Sequence, residues 1–222
     1  MSQGRFVQSI RSVKSAAIAG VIYSILAIAA LLLLRGLPAA GEAGTTPTAW
    51  IEDPLNQAEL ILGLNLASIS SVAFLWFVAV IRKRMGEKED KFFSTVFLGS
   101  ALVYIGIWLV AAAAIASIAV AYQRFDDASL STDSVTFLLG FSEALILVVG
   151  PRLQGVFVLT TSTLILRTEM LPSWLAYLGY AAGSILVLIP MISRPVGLGF
   201  PLWVLVVSVT MLVAKHKQND DG

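Results

Sequence analysis

The residues best suited to chemistry in this sequence lie together in one long apolar stretch, residues 135–166. They are Glu143, Gly150, Pro151, Arg152 and Gln154. A charged side chain at the centre of a membrane-spanning helix costs about 2.5–3.5 kcal/mol on insertion, so such residues usually have a functional or pairing role. Arg152 is the strongest case, because it lies well inside the apolar stretch.

Gly150 and Pro151 predict a disturbance of this helix. Proline lacks a backbone N–H and its ring clashes with the carbonyl of Leu147, while glycine lowers the cost of a bend. If the helix breaks at Gly150 and Pro151, a half-helix starts inside the membrane. Its N-terminus, with Arg152 and Gln154, would then suit an anionic group, as broken helices do in transporters. The alternative is a simple proline kink with Arg152 in a structural ion pair.

The sequence also leaves undecided which residue pairs with Arg152. Glu143 is nine residues away, which places the two on opposite faces of a straight helix. Unless a bend brings them together, Arg152 needs a partner on another helix. Glu59 is the candidate acid, and Asn65 and Tyr104 are the neutral candidates. The sequence therefore predicts a ligand-binding set drawn from Arg152, Glu143, Gln154, Glu59 and Asn65.

Composition narrows the chemistry further. The chain has no cysteine and one histidine, His216, near its C-terminal end, so thiolate chemistry and Cys-ligated metals are excluded. We expect no metal and no cofactor. With few carboxylates in the apolar stretches, little acid–base machinery remains, and an enzyme is not favoured. The net charge of +1 predicts no nucleic-acid partner.

The elements that must position these residues are membrane helices. Hydrophobic residues make up 57% of the chain and charged residues 13%, and mean hydropathy is +0.85. Soluble domains have about 25% charged residues. About 20 apolar residues cross the hydrocarbon core as a helix, and continuous rather than alternating apolar runs argue against a β-barrel. We predict an all-α polytopic membrane protein in which residues 1–222 form a single six-helix transmembrane domain. The predicted spans are 15–34, 57–81, 92–122, 135–166, 173–192 and 196–214.

The basic residues are distributed unevenly between the two sides of this topology. Eleven lie on the side of the two termini: Arg5, Arg11, Lys14, Arg82, Lys83, Arg84, Lys88, Lys91, Arg167, Lys215 and Lys217. Only Arg35, Arg124 and Arg194 lie on the other side, close to helix ends where such side chains snorkel. Positive charge favours the cytoplasmic side. The sequence therefore predicts a cell-membrane protein with its N-terminus and C-terminus both cytoplasmic.

Small residues recur at a spacing of four in three of the predicted helices. The three stripes are Gly63/Ala67/Ser71, Ala16/Gly20/Ser24 and Gly179/Gly183. Such stripes let helix backbones approach closely. They predict packing within one bundle, or contact with a second copy or another membrane protein; the lipid bilayer is the other expected partner. The hydroxyl run 160–163 is expected to bond back to helix carbonyls rather than to line a polar path.

Two stretches carry a resemblance to known sequences. Residues 56–100 (NQAELILGLNLASISSVAFLWFVAVIRKRMGEKEDKFFSTVFLGS) and residues 166–183 (LRTEMLPSWLAYLGYAAG), followed by FPLWVLVVSV, resemble a family of uncharacterised multi-pass bacterial membrane proteins. The resemblance implies the multi-pass architecture and no particular activity. The function expected is that of a non-catalytic membrane component or assembly partner. The alternative is a transporter or channel for a small anionic or amphiphilic solute, with its site at the fourth helix.

Overall fold

The computed structural model of the protein describes residues 2–38, 47–85, 91–124, 131–168, 171–189 and 193–220. Throughout these ranges the regular structure is helical, which confirms the all-α prediction. The helices are α1 (Ser2–Leu34), α2 (Pro47–Glu52), α3 (Pro54–Met85), α4 (Lys91–Arg124), α5 (Thr132–Glu143), α6 (Gly150–Thr168), α7 (Ser173–Leu188) and α8 (Gly199–Asp220). A π-helical segment, Ala144–Val149, joins α5 to α6, and a 3-10 helix, Arg194–Leu198, precedes α8.

Five helical stretches are long and apolar enough to cross a membrane. They are Ser15–Leu34, Pro54–Arg82, Phe92–Arg124, Thr132–Thr168 and Pro195–Val213, and they correspond to five of the six predicted spans. The remaining predicted span, 173–192, forms the apolar but shorter helix α7 of 16 residues. At 1.5 Å per residue α7 is about 24 Å long, less than the roughly 30 Å of a bilayer core.

Neighbouring helices pack antiparallel in the order α8, α1, α3, α4, α6 and α7, with α5 also against α4. For α1 and α8 the direction follows from two contacts: Gly20 lies against Ser208, and Tyr23 lies near Phe200. The start of α1 and the end of α8 therefore share one end of the bundle, here called the terminal end. The opposite end, where α1 and α4 finish and α3, α5 and α8 begin, is called the loop end.

An aromatic cluster at the centre of the bundle joins five helices. The ring of Phe74 on α3 lies 4.7 Å from Tyr23, 5.8 Å from Tyr104 and 5.2 Å from Phe157, measured between centroids. Phe200 of α8 closes the cluster at 5.7 Å from Phe74. Aromatic pairs at these separations contribute about 0.5–1.5 kcal/mol each beyond the area they bury. The cluster therefore fixes α1, α3, α4, α6 and α8 relative to one another.

The small-residue stripes are all used for packing inside this chain. Gly20 lies against Phe77 and Ser208, Gly63 against Leu34, and all members of the three stripes are buried. Packing within one bundle thus accounts for the stripes. The hydroxyls of residues 160–163 bond back to carbonyls three or four residues earlier at 2.7–3.0 Å, which confirms the back-bonding expected for them.

Large apolar side chains face outward on the spanning helices. Examples are Ile25, Trp76, Val103, Phe137 and Val213, each more than half exposed. An apolar surface of this extent is unfavourable in water and suits a lipid environment. The protein is therefore a membrane-embedded helical bundle.

Candidate functional site

The fourth spanning element is continuous through Gly150 and Pro151, so of the two alternatives, a break or a kink, the helix does not break at these residues. Thr132–Thr168 forms one helical stretch of 37 residues, and Gly150 has the ordinary α-helical φ of −54° and ψ of −46°. Because no new helix begins at Pro151, there is no half-helix N-terminus to attract an anion.

The disturbance lies one turn earlier, as the π-helical segment Ala144–Val149. The N–H of Gly150 bonds to the carbonyl of Leu145, five residues back, instead of four. Pro151 has no N–H to donate to Leu147 and its ring crowds that carbonyl, so a wider turn before it relieves the clash. Single π-turns inside helices occur frequently at functional sites.

Arg152 is half-buried, and its guanidinium donates a hydrogen bond to the carbonyl of Val148 on the same helix. It makes further interactions as well, as does Glu143. The other proposed partners of Arg152 lie elsewhere. Glu59 is exposed, and exposed Asn65 donates its side-chain N–H to the carbonyl of Ile61 at 2.8 Å.

A cavity of about 470 Å³ lies at the loop end of the bundle. It lies between the end of α1, the middle of α4, the α5–π junction and the 3-10 helix before α8. Its walls are mostly apolar: Leu31, Leu32, Leu34, Leu37, Ile115, Leu139, Ile146, Leu147, Pro195 and Leu198. Small-molecule sites in proteins have this size, about 300–1,000 Å³, and this mostly apolar character. We call it the outer cavity.

Few polar groups line the outer cavity, and two of them carry opposite charges. Arg35 follows the end of α1, and Glu143 ends α5 immediately before the π-segment. Ser142 is buried beside Glu143 and donates to the carbonyls of Leu138 and Ala111, at 2.8 and 3.2 Å. The bond to Ala111 ties α5 to α4, so the cavity wall that carries Glu143 is held in place.

A second, smaller pocket adjoins the outer cavity and leads toward the centre of the bundle. The two share Leu31, Trp108, Ile146 and Gly197 as lining residues. This inner pocket encloses only about 30 Å³. Gly150 and Pro151 form part of its wall, and the π-segment lines both spaces.

The inner pocket is polar on one side. Tyr104 is hydrogen-bonded to the side chains of Tyr23 and Gln154, and all three line the pocket. We call these three residues the polar triad. Tyr23 lies about 16 Å along α1 from Leu34, where the helix ends, which places the triad near the middle of the span. The polar triad and the charged pair Arg35 and Glu143 thus line two adjoining spaces that share four lining residues.

The predicted site residues divide into three groups. Glu143 lines the outer cavity; Gln154 lines the inner pocket. Arg152, Glu59 and Asn65 line neither space. Tyr104, expected as a partner of Arg152, bonds to Tyr23 and Gln154 instead.

Sequence reasoning missed two polar components of the site. Arg35 was interpreted as a snorkelling residue at a helix end, and Tyr23 was not singled out. Their roles depend on which helices become neighbours. The one available signal was that a tyrosine in the middle of an apolar span needs a hydrogen-bond partner.

This arrangement suits non-covalent binding of a lipophilic molecule. Among the residues that the structure describes, no three His, Asp or Glu side chains come together to hold a metal ion. An apolar chamber with a charged mouth and a polar inner end favours a molecule that is mostly apolar and bears polar groups.

Comparison with protein-family models, curated proteins and solved structures finds no match to this chain. The fold and the site define it as a helical membrane bundle with a partly open, mostly apolar cavity.

Proposed function

We propose that this protein is a non-catalytic membrane component that binds a small amphiphilic molecule in the outer cavity. The observation that carries the proposal is the 470 Å³ volume between Arg35 and Glu143, with walls that are otherwise almost entirely apolar. An apolar concave space of that size offers many dispersion contacts to an apolar ligand that fills it.

The charges favour an amphiphile over a plain hydrocarbon. Arg35 can pair with a carboxylate or phosphate in a bidentate manner, and Glu143 lies on the same cavity. A transporter remains the alternative, but with a different binding charge from the one first considered: Arg35, rather than Arg152, lines the space.

Filling the cavity at Gly197 is expected to weaken amphiphile binding at least about tenfold. Gly197 lines both spaces, and a Cβ added there meets no heavy atom within 4 Å, so Gly197→Trp places its ring in open space. The measurement is a titration of the purified protein in lipid nanodiscs with dansylaminoundecanoate, followed by dansyl fluorescence, with empty nanodiscs as the baseline.

Gly199→Trp is the matched control. Gly199 is two residues away, also has no heavy atom within 4 Å of an added Cβ, and lines neither space. Gly199→Trp should bind dansylaminoundecanoate with the same affinity as the unmodified protein. Equal affinity in all three proteins, or no saturable binding at all, would overturn the proposal.

We also propose that the terminal end faces the cytoplasm of a bacterial cell and that the cavity opens toward the outer leaflet. The support is the excess of Lys and Arg on the terminal side. Since the chain has no cysteine, single cysteines can be labelled uniquely. In intact cells, a membrane-impermeant maleimide should label a cysteine at Thr45 and not one at Ser2. The reverse pattern would invert the topology, and labelling of both would contradict a common side for the termini.

A further inference from the structure

The inner pocket differs from the outer cavity in both size and polarity, and the difference restricts the ligand. About 30 Å³ has room for one or two water-sized groups and not for a ring or a branched chain. Only a slender end of a ligand can enter it. The bulk of the ligand must stay in the outer cavity.

The polar triad at the inner pocket has hydrogen-bonding capacity left over. Two tyrosine hydroxyls and one glutamine amide supply four hydrogens for donation. The two bonds among Tyr23, Tyr104 and Gln154 use two of them. Donors near the middle of a membrane span cannot turn to bulk water, so leaving them unused is costly.

The neighbouring serine hydroxyls add no further donor to the inner pocket. Ser70 and Ser71 also line the inner pocket, but both hydroxyls donate to the carbonyl of Ala67 at 2.7 and 3.0 Å. The rest of the lining is apolar or aromatic, including Phe74 and Trp108. The polar side of the pocket thus keeps unused N–H and O–H donors from the polar triad, beside acceptor oxygens of the triad and of the two serines.

From this geometry we infer that the ligand is a neutral-ended lipophile whose buried, slender end bears a hydrogen-bond-accepting oxygen, a carbonyl or a hydroxyl. This inference rests on the proposed function and adds the chemistry of the inner end. A charged group is disfavoured there, because the triad has no formal charge to balance it. The oxygen would accept from Gln154 and from a tyrosine hydroxyl, while the apolar body lies between Leu31, Trp108 and Ile146.

A matched pair of competitors tests this inference. Methyl octyl ketone and decane have the same chain length and differ in one carbonyl oxygen. Each is titrated against dansylaminoundecanoate bound to the protein in nanodiscs, with concentrations corrected for partition into empty nanodiscs. We expect the ketone to displace the probe about fivefold more effectively, which corresponds to one hydrogen bond.

Variants of the polar triad test whether its residues cause the preference for the ketone over decane. In Gln154→Leu and in Tyr23→Phe the ketone should lose its advantage, while displacement by decane stays within about twofold. Tyr180→Phe is the matched control: it removes a hydroxyl that bonds to Thr163 at 2.8 Å and that lines neither space, and it should keep the preference. Tyr23→Phe also serves as a second variant if Gln154→Leu does not fold.

The outcomes of these titrations distinguish the proposed function from the inference about the ligand's oxygen. If ketone and decane displace the probe equally from the unmodified protein, the cavity binds lipophiles and the inference about the oxygen is overturned. A preference that survives in both triad variants has the same consequence, because the oxygen is then recognised elsewhere. If the unmodified protein binds the probe no better than Gly197→Trp does, the proposed function itself is wrong.

Discussion

Replacing Phe157 with alanine is expected to lower the free energy of unfolding by about 3 kcal/mol or more. Its ring is fully buried and has three aromatic neighbours, with centroids 4.9 Å from Phe97, 5.2 Å from Phe74 and 6.0 Å from Phe200. In lipid, transfer of an apolar side chain out of the bundle costs little. The loss therefore comes mainly from the dispersion contacts that the cavity removes.

The measurement is unfolding of the protein in mixed micelles by increasing fractions of a denaturing detergent, followed by tryptophan fluorescence and far-ultraviolet circular dichroism. Phe137→Ala is the control. Phe137 is 70% exposed and its one ring neighbour is Phe141, at 6.3 Å. Its removal should cost less than about 1 kcal/mol. A similar loss for both variants would mean that the aromatic cluster does not hold the bundle together.

The spanning helices were predictable because one physical requirement dominates them. A chain in lipid must satisfy its backbone hydrogen bonds within each segment and cover about 30 Å with apolar side chains. The predicted span 92–122 accordingly lies within the apolar stretch Phe92–Arg124. The predicted span 173–192 contains α7, which ends at Leu188 with extended backbone at Ile189, and its last three residues lie outside the described ranges.

The π-segment shows a partial success of the same kind. Gly150 and Pro151 marked the helix as disturbed, and the structure has a disturbance next to them. Its form was not predictable, since a proline can be accommodated by a kink, a break or a wider turn, and neighbouring helices decide which. Here the N–H of Gly150 donates a hydrogen bond to the carbonyl of Leu145, so the helix stays continuous.

The site was predicted least well, because its residues come from different helices and the sequence does not show which helices become neighbours. Arg152 was the most conspicuous residue because a charge in an apolar run is rare. Arg35, rather than Arg152, lines the outer cavity. Its position at a helix end gave no reason to single it out in the sequence. Nothing in the local sequence shows that the end of α1 lies across a cavity from the α5–π junction. That arrangement depends on the order in which the helices pack.

Substitution of Gly155 by leucine is expected to be the other strongly destabilising change, with a loss of about 3 kcal/mol or detachment of α7 from the bundle. A Cβ at Gly155 would lie 2.7 Å from the carbonyl oxygen of Gly183 and 2.7 Å from a methyl of Val187. The first of these is backbone, which cannot move without separating α6 from α7. Since α7 packs chiefly on α6, that separation removes most of its contacts with the bundle.

The same detergent titration measures the loss, and Gly106→Leu is the control. Gly106 is exposed on α4, with no heavy atom within 4 Å of an added Cβ. Because leucine favours a helix more than glycine does, this variant should unfold at the same detergent fraction or a higher one. If Gly155→Leu behaved like Gly106→Leu, the close contact of α6 and α7 at Gly155 and Gly183 would be wrong. The wall of the inner pocket that Gly150, Pro151 and Gln154 form would then also need another explanation, since α6 carries all three.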